Sequence, residues 1–391
     1  MAGDSARRNH CISERFLLPM AFVAIALSPF SRLQGQSGIS KRFPQVDWEA
    51  ILAPSGARYA GRAACAECHP NEASSQALTP MAHALALPAD SEVLRKHPRL
   101  TFRQGPYFYQ ILREGNGDTR FAVSDGTRTI SVSILWAFGY GSGGVGQTYV
   151  FKYGGRLLES QVSYFDAIQG LDITIGHSPE PPTSLDAALG TSISERLTRK
   201  CFSCHATAAV SQNSLQLAKM IPGISCERCH GPGQKRIAAV KAGKFKKLHI
   251  FNPGHLSTGD LRGLCGSCHQ ASLQTTMAGT LGINTARFQS YRLARGRCYD
   301  PEDPRIGCLA CHNPHQATER NAAFYDAKCL ACHPLPGKDA PANPKSAARS
   351  CPVSERECVT CHMPKVEIPQ THHKFPDHWI RVAKDGGAYP D

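Results

Sequence analysis

Hydrophobic and polar positions change rhythm three times along the chain. Near the start, Phe16 to Phe30 is apolar except for Pro19, Ser28 and Pro29. A basic stretch with Arg7, Arg8 and Arg15 precedes this run, and small polar residues, Gly35 to Gly38, follow it. The run is short for a bilayer span, which takes about 20 residues. Its order predicts a secretory signal over 1–35, cleaved near Gly35. From about 98 to 165 the pattern turns to β-branched and aromatic residues. Tyr107–Leu112, Thr129–Trp136 and Thr148–Tyr153 read as strands, with turns at Gly115–Gly117, Asp125–Gly126 and Gly154–Gly155. Beyond about 185 the chain reads as short helices and loops. Ser184–Leu189, Ile193–Leu197 and Ser214–Met220 are the helical candidates, and prolines mark 334–352 as an exposed loop.

This pattern predicts a mainly α fold with much irregular structure and a small antiparallel β insert at about 98–165. The corresponding segments are a signal (1–35), an N-terminal segment (36–97), the β insert (98–165) and a C-terminal domain (166–391). A hydrophobic share of 41 % in 391 residues excludes a disordered or fibrous chain. Seventeen cysteines are too few for a disulfide scaffold, where more than about 8 % is expected.

Fourteen of those cysteines fall in seven copies of C-x-x-C-H. The pairs are Cys65 and Cys68, Cys201 and Cys204, Cys226 and Cys229, Cys265 and Cys268, Cys308 and Cys311, Cys329 and Cys332, and Cys358 and Cys361. The histidines that follow are His69, His205, His230, His269, His312, His333 and His362. Chance would supply far fewer than one copy. The spacing fits covalent attachment of haem c: two thiols add across two vinyl groups, and the next imidazole binds the iron as proximal ligand. A zinc site needs no histidine directly after each pair, and a redox dithiol occurs once per domain. Seven covalently attached haems are expected. About 51 residues per haem then remain after the signal, so haem must form much of the core.

The first cysteines of successive motifs lie 136, 25, 39, 43, 21 and 29 residues apart. The two shortest intervals predict close haem pairs at the second and third motifs and at the fifth and sixth. Attachment of haem c belongs outside the cytoplasm, so a periplasmic or extracellular home is expected. Cys11 leaves with the signal. Cys298 and Cys351 remain, and one disulfide between them is the simplest expectation in an oxidising compartment. The formal charge of +13 is offset by about 14 haem propionates, so nucleic acid is not an expected partner.

Histidines outside the motifs are the candidates for the far side of each iron. His83, His177 and His315 lead, and His372, His373 and His378 form a last cluster. His249 and His255 are further candidates, and His97 is the weakest. Met81 and Met363 read as packing residues. Nine histidines for seven sites allow bis-His ligation throughout, which suits electron transfer.

The stretches Cys226–Gly233, Cys308–His315, Cys358–Lys365 and Phe375–Ile380 resemble the periplasmic multihaem cytochromes c. The group is typified by the tetrahaem cytochrome that accepts electrons from hydroxylamine oxidoreductase, with pentahaem and octahaem relatives. The resemblance covers 60–84 and 200–380. It implies helical packing around stacked and perpendicular haem pairs, with His315 and His378 as distal ligands. Gln234, Lys235 and Arg236 stand where many relatives carry a histidine, which leaves the third haem's sixth ligand open. All seven motifs end in His, which argues against a nitrite reductase whose catalytic haem uses Lys. The expected function is electron carriage between redox proteins, with a membrane-associated quinol-oxidising protein among the donors considered. No membrane span is expected in the mature chain. The rival is an oxidoreductase acting on a small nitrogen or sulfur species at one open haem.

Overall fold

The computed structural model describes residues 48–391 except 116, 142, 247–248, 271–278, 334–350, 385–388 and 391. The expected signal and most of the proline-rich loop lie outside these residues.

Ten strands form one large antiparallel sheet: β1 (Leu85–Ala86), β2 (Arg99–Gln104), β3 (Tyr107–Arg113), β4 (Thr119–Ser124), β5 (Thr129–Phe138), β6 (Gly146–Tyr153), β7 (Arg156–Ser160), β8 (Val162–Phe165), β9 (Gly170–Ile173) and β10 (Gly190–Ser192). The order across it is β10-β7-β6-β5-β4-β3-β2, with β1 on β5 and β8 between β6 and β9. This corrects the expected fold class. Among the described residues 34 % are helical and 23 % are in strands, so the β part is neither small nor confined to 98–165.

The three strands legible from alternation are β3, β5 and β6. The others hide for physical reasons. Several are two to five residues long, too short to show a period. Around β7–β9 polar residues are buried and satisfied internally. Ser160 Oγ donates to the Val162 carbonyl (2.8 Å) and accepts from the Tyr149 amide (3.1 Å). Ser163 and Thr174 hydroxyls share a bond of 2.7 Å.

Pairing of β5 with β6 shifts register between Ile134 and Trp136. This bulge moves the inward set from Val132 and Ile134 to Ala137 and Phe138. The sheet consequently packs on both faces. One face closes over Tyr109, Ile111, Phe121, Tyr149, Phe151 and their neighbours. The other gathers Leu85, Phe138, Val150 and Ile193 around Phe202.

The remaining described residues form mostly short helices and loops, with three two-stranded pairings within 206–222, 210–215 and 365–376. Helix Leu185–Leu189 starts at Ser184, whose hydroxyl accepts from the Ala187 amide (3.2 Å). Helix Glu195–His205 starts the same way at Ser194. The expected helix Ser214–Met220 is absent. Gln212 and Asn213 both adopt positive φ (48° and 57°), and a tight hairpin pairs Val210–Ser211 with Ser214–Leu215 instead. Only a 3-10 turn, Leu217–Lys219, follows.

Candidate functional site

Each motif sits on or at the end of a helix. Helices Glu195–His205, Cys226–His230, Thr258–His269 and Cys358–His362 end on the motif histidine itself. Helices Arg62–Ala66, Cys308–Cys311 and Ala322–Leu330 end one to three residues before it. Helical spacing of i and i+3 sets both thiols of a motif on one face, and the histidine at i+4 stays beside the first cysteine.

Hydrogen bonds at Nδ1 orient several of these imidazoles. His205 Nδ1 meets the Ala84 carbonyl at 2.8 Å, His230 the Phe251 carbonyl at 2.9 Å and His362 the Arg381 carbonyl at 2.9 Å. His269 Nδ1 lies 3.3 Å from Gln289 Oε1. A carbonyl partner requires Nδ1 to carry the proton, so Nε2 keeps a lone pair free for a metal.

The sheet takes part in this. Phe202, inside the second motif, is fully buried with its ring edge-on to Trp136 (5.0 Å) and Phe138 (5.1 Å). Phe138 also meets the His205 ring at 5.4 Å. Pairing of β1 with β5 fixes Ala84, the residue whose carbonyl orients His205. The sheet is thus the seat of the second motif.

Polar clamps tie the motifs to one another. The buried Glu227 carboxylate accepts from the amides of Ala60 (2.7 Å), Gly61 (2.9 Å) and Gly233 (2.7 Å), which fixes the approach to the first motif against the third. Arg228 donates to the Ser203 carbonyl (3.1 and 3.0 Å) and reaches Cys268 Sγ at 3.7 Å, joining the third motif to the second and fourth. Asp326 accepts from the amides of Glu357 (2.8 Å) and Cys358 (2.9 Å), joining the sixth to the seventh. Thiols of different motifs also interact. A bond from Cys65 holds the Cys226 thiol below its usual value, and Cys204 and Cys265 do the same to Cys268 and Cys308. Burial pushes Cys329 up to about 12, and Cys358 adds to the effect.

The candidate distal histidines divide by environment. His315 and His230 lie ring to ring, nearly parallel, at 6.0 Å. His378 and His312 lie at 6.2 Å with planes 40° apart. His378 Nδ1 is bonded to the Pro376 carbonyl at 3.0 Å, which leaves Nε2 free in the same way. Burial pulls His378 down to about 4 and also lowers His312 and His315, so all three rings favour the neutral form that a metal ligand needs.

The other candidates are engaged or stacked elsewhere. His177 has Nδ1 at 2.9 Å from Gln161 and Nε2 at 3.4 Å from Glu159, both within the sheet. His372 Nε2 is paired with Asp172 at 2.7 Å. His97 Nε2 meets the Tyr164 hydroxyl at 3.2 Å. His83 stacks on Tyr140 at 5.1 Å, and His373 stands edge-on to Phe375 at 4.8 Å. His249 is exposed with φ of 46°, and the exposed His255 meets Asn252 at 3.3 Å. Cys298 and Cys351 are free thiols rather than the expected disulfide.

Glu227, Arg228, Asp326, Asp377 and Arg292 are the residues that sequence reading missed. Glu227 and Arg228 occupy the two variable positions of the third motif, where a charged pair beside two cysteines was a usable signal. Asp326 and Asp377 act on partners 31 or more residues away, which no local pattern reveals.

Among the described residues no three His, Cys, Asp or Glu side chains converge as a protein-only metal cluster would require. Paired thiols with one imidazole beside them, and a second imidazole opposite in two cases, fit a haem iron, for which the porphyrin supplies the remaining donors.

Residues 180–231, which carry the second and third motifs, match the family described as "Cytochrome c554 and c-prime". The match spans 52 of the 391 residues and is a likeness to c-type cytochromes over that segment. Among solved structures, the outer cell wall cytochrome OcwA aligns at 15 % identity and a TM-score of 0.45, over 83 % of this chain and 79 % of that one. No curated protein matches the chain. Among the described residues no helix is long and apolar enough to cross a membrane.

Proposed function

We propose that the chain is a secreted heptahaem c-type cytochrome that passes electrons along closely packed, mostly bis-histidine haems. The observation that carries this is the pair of histidine couples at 6.0 and 6.2 Å. Two imidazoles bound through Nε2 at about 2 Å on opposite sides of one metal have ring centroids about 6 Å apart. His230 and His315 would hold the haem attached at Cys226 and Cys229. His312 and His378 would hold the one attached at Cys308 and Cys311.

Each haem supplies a one-electron iron couple. The protein's part is to fix the ligands and the spacing. Nδ1 bonds at His205, His230, His269 and His362 set the proximal rings. Glu227, Arg228 and Asp326 lock one motif against the next. The cysteines of the first and third motifs, of the second, fourth and fifth, and of the sixth and seventh lie beside one another, so the thioethers they would form stand close together. Secretion rests on the pattern of residues 1–35, and the donor and acceptor are redox proteins.

The rival, an open catalytic haem at the third motif, rested on Gln234, Lys235 and Arg236. These begin the helix Gln234–Lys241. His315 comes to His230 from a different part of the chain and fills the role that they do not. Electron paramagnetic resonance of the oxidised protein tests the assignment. Wild type is expected to show low-spin ferric signals from these two haems. His315→Met is expected to change one low-spin signal only. A high-spin signal from the third haem in wild type, or no change in His315→Met, refutes the pairing.

A further inference from the structure

We infer that Asp377, gripped by Arg292, is a positioning residue shared by two haem sites. In this role it sets both the distal imidazole His378 of the fifth motif and the proximal imidazole His362 of the seventh. The inference rests on the haem reading above and assigns to that reading a linkage between two particular sites.

Asp377 and Arg292 are both fully buried. The Asp377 carboxylate accepts from Arg292 Nε (2.8 Å), Arg292 Nη2 (2.8 Å), the Trp379 amide (3.0 Å) and the Arg381 guanidinium. Arg292 is fixed in turn by Thr285 Oγ1 (3.3 Å) and the Pro390 carbonyl (3.0 Å), with the Trp379 and Tyr389 rings each 4.7 Å away. A two-pronged guanidinium–carboxylate contact fixes direction as well as distance.

The same short turn reaches both sites. His378 is the next residue, and its ring lies 6.2 Å from His312. The Asp377 amide donates to the Pro364 carbonyl (3.0 Å), two residues past His362. At the far end of the turn, the Arg381 amide donates to the His362 carbonyl (3.2 Å) and the Arg381 carbonyl receives His362 Nδ1 (2.9 Å). The strands Lys365–Glu367 and Lys374–Pro376 pair and close the loop between the two sites. One carboxylate thereby holds both ends of a strap with one imidazole at each end. A buried ion pair is a costly way to fill space, and an apolar core residue packs as well. Fixing the strap in one orientation is what the charged pair adds.

The test uses the mature haem-loaded protein, with low-spin ferric resonance signals and a spectropotentiometric titration as readouts. Asp377→Asn is expected to keep the haem count and to alter two components together. His378→Met is expected to alter one. If Asp377→Asn does not mature, Arg292→Lys, which keeps the charge and loses the fork, is expected to alter the same two components. An unchanged spectrum, a change in one component, or an equal change in all components overturns the shared role. A wild-type protein without haem at the fifth and seventh motifs overturns the underlying haem reading. All haems present with no paired change overturns the strap alone.

Discussion

Phe202 shows what a single residue does here. It lies between two haem-attaching cysteines in the proposal, yet its ring belongs to the back face of the sheet. Truncating a fully buried Phe costs about 3–5 kcal/mol, so Phe202→Ala is expected to lower the unfolding free energy by that amount and to move the chemical denaturation midpoint down in proportion. It should also disturb the haem at the second motif before the others. Asp326 makes a different case. Burial works against its charge, but the amides of Cys358 and Glu357 outweigh it and hold the carboxyl below the ordinary carboxylate range. A carboxyl with a lowered folded pKa stabilises the fold above its unfolded value, near 3.9, and that contribution fades as pH falls through the folded value. Asp326→Ala, which removes the acceptor, is therefore expected to cost about 0.5–2 kcal/mol at pH 7, the range for loss of a side-chain acceptor at a helix start. Urea midpoints measured from pH 6 to pH 3 should show a smaller fall in the variant than in wild type. An identical fall in both would remove Asp326 from this role.

At the scale of elements, the chain discloses what is periodic and local. Strands β3, β5 and β6 were legible because aromatic and β-branched residues alternate there with polar ones. Helix Leu185–Leu189 falls within the expected helical stretch Ser184–Leu189. The sheet's reach to Leu85 and Ser192 was not, since β1 and β10 gain their form from partners Phe138 and Ser160 far along the chain. Nor was the hairpin at 210–215, where two successive left-handed residues override an apolar pattern that resembled a helix. Gly223 carries a testable consequence. It has φ of 73°, and an added Cβ would collide with the Ala82 carbonyl. This contact holds the approach to the third motif against the loop that orients His205. Gly223→Ala is expected to cost more than about 1 kcal/mol and to lower haem incorporation at the second and third motifs. A variant of wild-type stability and haem content would contradict the close approach.

Over the whole molecule, the candidate site was legible as far as it is local. Seven copies of a five-residue pattern name the thiols and the proximal imidazoles without any tertiary information. What joins the motifs is long-range. The short 25-residue interval does bring the second and third motifs together, through Arg228 and Ser203. However, Cys65 meets Cys226 across 161 residues, and Cys204 meets Cys268 across 64. Distal candidates were the least legible, because histidine near a motif in sequence says little about which iron it can reach. His177, close to the second motif by number, spends both nitrogens inside the sheet. His315 and His378 instead come to motifs by tertiary packing. The central claim is one covalent haem at every motif. Intact mass spectrometry of the mature protein tests it most directly. The expected result is a mass raised by seven haems, with none of the fourteen motif thiols open to alkylation. A smaller number of haems, with motif cysteines that alkylate freely, would contradict it.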